Sequence, residues 1–254
     1  MAGTDRALPI ILAMPRPLQP LAMLALSCAL LALPVALCTP AVAGDTVVIA
    51  GTDLSALSAA DQADAQVQKF VTRAQAVAQD NFIPIHQLLY PGAPLPDTLS
   101  VTLHVIHQPD GIAWTAGGVV TLNLTWFLAH PDDLGAVYHE MVHIVQAYPG
   151  NPDAGWLTEG IADWARNFVY EHKTLADFAG AGLGSYHDGY KPAARFLEWL
   201  RLNQRATIVT DLNARLHAGT YDAAHDWPEL AGASLDELWA QYSAALQPKT
   251  QPKT

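Results

Sequence analysis

The residues of this chain best suited to chemistry are His139-Glu140-Met141-Val142-His143. Two histidines four positions apart on a helix share one face about one turn apart, so both rings can reach a single ion. Glu140 is rotated one position away from that pair, which leaves its carboxylate beside the ion and able to take a proton from a metal-activated water. This is the H-E-x-x-H arrangement of zinc hydrolases. Background residue frequencies would produce it by chance in a chain this long on the order of once in a hundred. One Zn2+ per chain is expected. A catalytic zinc takes a third protein ligand and keeps one position open. Glu159 is the best placed candidate, because it opens Glu159-Gly-Ile-Ala-Asp163 on the next helix, opposite an apolar stripe of Leu157, Ile161 and Trp164. Asp163, one turn on, is suited to accept the N–H of a ligating histidine and fix its tautomer. The plainer reading makes Glu159 an acid that favours a helix N-terminus and Asp163 a solvated carboxylate.

Amide hydrolysis by such a site also needs a donor for the oxyanion that develops at the tetrahedral stage. Tyr190 is the first candidate, with Tyr186 and His187 as competitors on the same glycine-rich approach. Residues 182–189 hold three glycines, which fits either a flap that closes on substrate or a connecting loop. His86, His104, His107, His130, His172, His217 and His225 show no spacing that pairs them on one helical face and are read as surface or packing residues.

These groups need elements to hold them. From Pro131-Asp132-Asp133 the pattern turns helical, with an Asp as N-cap, an apolar stripe of Leu134, Tyr138, Met141 and Val145, and a stop at Pro149-Gly150-Asn151-Pro152. A second helix is expected over about 156–170, burying Leu157, Ile161, Trp164 and Phe168. A third is expected over about 191–202, burying Phe196, Trp199 and Leu200. Upstream, residues 46–50 suit a short strand and 55–79 one long helix, while 100–107 and 119–124 alternate as strands do. Residues 119–124 are a candidate sheet edge beside the cleft, where a substrate peptide adds as an extra strand, with Trp114, Thr115 and Gly117-Gly118 at the rim.

Residues 18–37 are almost wholly apolar, follow Arg6 and Arg16, and lead to Ala41-Val42-Ala43 before Gly44, the pattern of a secretory leader over 1–43. A membrane anchor is the rival, which Pro20 and Pro34 disfavour by shortening the usable helix. Met14-Pro15-Arg16 offers a start with a more ordinary n-region. Cys28 and Cys38 both fall inside the leader, so the mature chain has no thiolate and must bind any metal through His, Asp or Glu. Removing Arg6, Arg16 and Asp5 from 13 basic and 24 acidic residues leaves 11 and 23, a net charge of −12. That balance argues against nucleic acid as a partner and against stable association with anionic membranes once the leader is gone. The expected location is secreted or periplasmic. Residues 44–246 suffice for a single domain with its cleft between 44–148 and 149–246, and 247–254, a repeated polar tetrapeptide, reads as a disordered tail.

Three stretches, 135–146, 155–166 and 189–200, together resemble the signature blocks of the basic secretory protein family. Two histidines followed by Glu-x-x-x-Asp also resemble the wider gluzincin peptidases. The resemblance implies His139, His143 and Glu159 as zinc ligands, Glu140 as base, and a peptide or protein substrate. The expected fold is α+β and zincin-like: a small twisted, mostly antiparallel sheet packed on the active-site helix, with a mainly helical C-terminal half. The expected function is a secreted zinc endopeptidase. Two other readings stay open: a non-catalytic secreted defence or binding protein that keeps zinc for structure, and a zinc amidase acting on non-peptide amides.

Overall fold

A computed structural model describes residues 47–96 and 98–246; the expected leader and tail lie outside them. Four strands, β1 (Val47–Asp53), β2 (Thr98–Ile106), β3 (Ala113–Ala116) and β4 (Val119–Asn123), form one sheet in the order β1-β2-β4-β3. β1 pairs with β2 and β2 with β4 in parallel, and only β3 with β4 antiparallel. The sheet is therefore mixed, and the expectation of a mostly antiparallel one is corrected. Two parallel strands cannot be joined by a tight turn. The segment between β1 and β2 is occupied by α1 (Ala59–Ala63) and α2 (Ala65–Leu89), which carry the chain back across the sheet.

One long helix was expected over 55–79, and the structure divides it. Ser58 caps α1, and Asp64, in an extended conformation, accepts from the backbone N–H groups of Gln66 and Val67 to start α2. Both are good N-cap residues, and two caps six positions apart mark two starts. α2 then continues through Pro84 to Leu89, burying Val67, Phe70, Val71, Ala74 and Phe82.

After the short α3 (Leu124–Ala129), α4 (Leu134–Gln146) carries the H-E-x-x-H residues. It touches α2, β3, β4 and the following α5 (Gly155–Trp164), so ten of its thirteen residues are buried and it has no solvated face. The expected single stripe is in fact burial nearly all round, as for a helix in the middle of a fold. Val137, Met141 and Val142 are fully buried, each contributing roughly 1.5–3 kcal/mol. Asp133 sits at the N-cap but gives no side-chain cap bond, because Trp126 Nε1 and Arg166 claim its two oxygens. The helix ends before Pro149, with Ala147 left-handed at φ 42°.

α5 leads directly into one wide turn of π-helix over Ala165–Tyr170, where a continuous α-helix was expected. α6 (Tyr190–Asn203) packs across α5, and the two approach closely at Gly160: a Cβ there would sit 2.7 Å from that of Ala193. Phe196 and Leu200 are buried as expected, while Trp199 is half-buried. α7 (Ile208–His217), α8 (Ala223–Ala231) and α9 (Leu235–Ala245) complete the helical half. No helix among the described residues is long and apolar enough to cross a membrane.

Candidate metal centre

α4 and α5 bring three donor atoms together. His139 Nε2 lies 3.1 Å from His143 Nε2 and 3.1 Å from Glu159 Oε2, and His143 Nε2 lies 3.4 Å from the same oxygen. Ligand atoms at zinc–nitrogen and zinc–oxygen bond lengths, arranged tetrahedrally, stand about 3.3 Å apart. The donor set thus fits zinc by both spacing and chemistry. Among the described residues no fourth His, Cys, Asp or Glu joins this group.

Each ring is held from behind. His139 donates from Nδ1 to Asp163 Oδ1 at 2.9 Å, and His143 donates from Nδ1 to Gln146 Oε1 at 2.7 Å. Gln146 in turn donates to the backbone carbonyl of Thr158 at 3.1 Å, tying the end of α4 to α5. With both Nδ1 atoms engaged as donors, both Nε2 atoms face the site, placed to become ligands when a cation displaces the proton there. Sequence reasoning gave Gln146 no such task. The signal was present, since i and i+3 on a helix are neighbours.

The electrostatics ask for a cation. His139 is almost fully buried, which works against its charge, yet its bonds to Asp163 and Glu159 outweigh burial and raise it to about 9. Glu159 is pushed up by burial and pulled down further by the two histidines, to about 2. Surroundings that hold a proton this firmly on one ligand and off another are those in which positive charge is stabilised.

Glu140 points to the other side of the group. Its Oε2 accepts from the Thr115 hydroxyl on β3 at 2.8 Å, and the same hydroxyl is 3.2 Å from the Glu140 backbone carbonyl. Tyr190, at the first position of α6, faces His139 with ring centroids 6.0 Å apart and planes inclined by 15°. Partial burial, with Glu159, Glu140 and Asp163 close by, raises its phenol above the usual range. The backbone that places it is unusual. Tyr190 has φ 41°, and Gly189 before it has φ 65° and ψ −150°, a region essentially reserved for glycine. Gly189 also lies against α5, where a Cβ would come 3.3 Å from that of Glu159.

The competitors for the role of Tyr190 are directed elsewhere: Tyr186 is buried and donates to Asp236, and His187 is exposed and does not line the cleft. The approach to α6 is fastened by Arg195, whose guanidinium donates to the carbonyls of Gly182 and Leu183, and by a reciprocal cap between Ser185 and Asp188. This is the connecting-loop reading of 182–189 rather than the flap.

His139, Glu140, His143, Glu159, Asp163 and Tyr190 line one cavity of about 1080 Å3, together with residues 111–118, Ile144, Arg166, Lys191 and Pro192. The strand at its rim is β3, which has β4 on one side and, among the described residues, no strand on the other. The expectation placed the edge at 119–124. That strand is β4, buried between β2 and β3, because the chain runs outward first and returns through Gly117 and Gly118, both with positive φ. Trp114, Thr115 and the two glycines do line the cavity.

His225, Asp226 and Glu229 form a second trio of possible ligands, on α8. Arg215 already donates to both oxygens of Glu229 and lies 3.8 Å from Asp226, so the positive charge there is supplied by the protein. Among comparisons with known proteins, the BSP family model, described as a peptidase of plants and bacteria, matches residues 51–242. No curated protein and no solved structure matches.

Proposed function

Because the chain belongs to the BSP family of peptidases of plants and bacteria, we propose that it is an exported, zinc-dependent endopeptidase of zincin-like fold, secreted or periplasmic after loss of residues 1–43. The ligands are His139, His143 and Glu159, a gluzincin-like set, and 44–246 act as a single domain. The observation that carries this reading is the triangle of donor atoms, 3.1–3.4 Å on each side, whose two rings are each locked in the ligating tautomer by Asp163 and Gln146.

When bound, zinc supplies Lewis acidity, which acidifies water and polarises a carbonyl. Glu140, on the cleft wall, takes the proton of the attacking water and passes it to the leaving amine. Tyr190 keeps its proton at neutral pH, since its pKa lies above the usual tyrosine value, and donates to the developing oxyanion. Asp163 and Gln146 hold the rings so that neither Nε2 reorients during turnover. The free side of β3 pairs with the substrate main chain, which selects an extended peptide over a compact amide.

A structural zinc would be closed by a fourth protein ligand, and a base such as Glu140 would have no task beside it; the three-donor group favours catalysis. The test is metal analysis of the purified chain alongside cleavage of unfolded casein. About one zinc per chain is expected, with cleavage abolished by a chelator and restored by added zinc. Glu140→Gln should keep the metal and lose cleavage by roughly 100-fold or more. Undiminished cleavage in that variant removes Glu140 from its role, and a metal-loaded protein inert on every peptide returns the chain to the binding-protein reading.

A further inference from the structure

Thr115 and Glu140 stand on opposite walls of the cleft, 25 positions apart in sequence, and meet through a hydrogen bond of 2.8 Å. Glu140 is 7 % exposed, and of its two carboxylate oxygens only Oε2 is held by this hydroxyl. The bond selects one rotation of the carboxylate and leaves Oε1 as the oxygen that remains for chemistry. The same hydroxyl lies 3.2 Å from the Glu140 backbone carbonyl, so it touches both ends of that residue and fixes the side chain as a loop over its own main chain. Thr115 also belongs to β3, the edge whose free side borders the cavity.

We propose that Thr115 is a positioning residue for the reaction: its hydroxyl aims the Glu140 carboxylate and sets the distance between the base and any peptide paired along β3. This rests on the peptidase reading above and adds to it a coupling between the strand that would bind substrate and the group that would move the proton. A base held by one hydrogen bond to the substrate-binding strand keeps its place relative to the bound peptide even if sheet and helix shift slightly against each other. Misplacement of a reacting group by an ångström is enough to cost rate without costing affinity.

The experiment compares Thr115→Val, which keeps the branched shape and removes the hydroxyl, with Thr115→Ser, which keeps the hydroxyl. Each is made in the full chain and loaded with zinc. For a fluorogenic peptide, Thr115→Val should lower kcat by about 10- to 100-fold with KM within about twofold and unchanged zinc content, and Thr115→Ser should recover most of the loss. A KM that rises while kcat stays put, or a Ser variant no better than Val, would show that Thr115 serves the strand and not the base.

Crystal structures of the two zinc-loaded variants give a second readout that needs no turnover. The Glu140 carboxylate should leave its place in Thr115→Val and keep it in Thr115→Ser; an unmoved carboxylate in Thr115→Val overturns the proposal. If wild type cleaves no peptide, the peptidase reading fails while the carboxylate position still decides this one. Should Thr115→Val not fold, Thr115→Ala removes the same hydroxyl with less bulk and takes its place in both measurements.

Discussion

The helical wall of the cleft and its strand wall solve different problems. On the helical side the polar groups behind the donor triangle are held in turn by others: His139 by Asp163, His143 by Gln146, Gln146 by Thr158, and Asp163 through its carbonyl by the buried Asn167. On the strand side β3 presents four residues of alternating exposure and, among the described residues, has no strand on its outer side. A wall of mutually fixed side chains suits one ion and one reaction geometry. A bare strand edge suits many peptides, because main-chain hydrogen bonds do not depend on sequence. On the peptidase reading, the comparison teaches that chemistry and recognition are divided between the two walls, with Thr115 bridging them.

That division can be sharpened by changing one wall at a time. The largest effect is expected from Tyr190→Phe on the helical side, which removes the proposed oxyanion donor and should lower kcat roughly 100-fold or more with little change in KM. Steady-state kinetics on a fluorogenic peptide would check it, and a kcat near wild type would reduce Tyr190 to an aromatic packed beside His139. Asp163→Asn comes next. It can still bond to His139 Nδ1 but supplies no negative charge behind the ring, and zinc affinity should fall about 10- to 100-fold by competition with a chelating dye. The smallest effect belongs to the strand wall: Trp114→Ala, at a side chain 41 % exposed on the rim, should raise KM roughly threefold to tenfold and leave kcat and zinc content alone. If Trp114→Ala instead altered metal affinity, the two walls would not be separable in the way drawn here.

The helical wall was also far more legible from the sequence than the strand wall. His139, Glu140 and His143 announce themselves by spacing, and Glu159 and Asp163 by falling one turn apart on the next helix, opposite large apolar residues. Their gathering needs only two adjacent helices and a short connection. The strand wall depends on long-range pairing. Nothing local in Ala113–Ala116 distinguishes a four-residue edge from a loop, so β3 went unread and its role was assigned to its partner β4. The bond from Thr115 to Glu140 was invisible for the same reason, since only the sheet order brings the two together. The helices after Asn203 carry no motif of comparable spacing, although α9 opens with Ser234 and Glu237 as a reciprocal cap three positions apart.

The parallel ladder also bears on how the chain acquires its shape. Val47 pairs with Thr98, about fifty positions later, so β1 finds its neighbour only after a long loop has closed, whereas α4, α5 and α6 follow one another and meet through nearby contacts. Loop-closure entropy makes distant pairings the slow ones. The helical half and the β3–β4 hairpin, whose partners lie three to nine positions apart, are therefore expected to form before β1 docks and completes the sheet. A chain assembled in that order shapes both walls of its cleft while the strand farthest from β3 is still undocked.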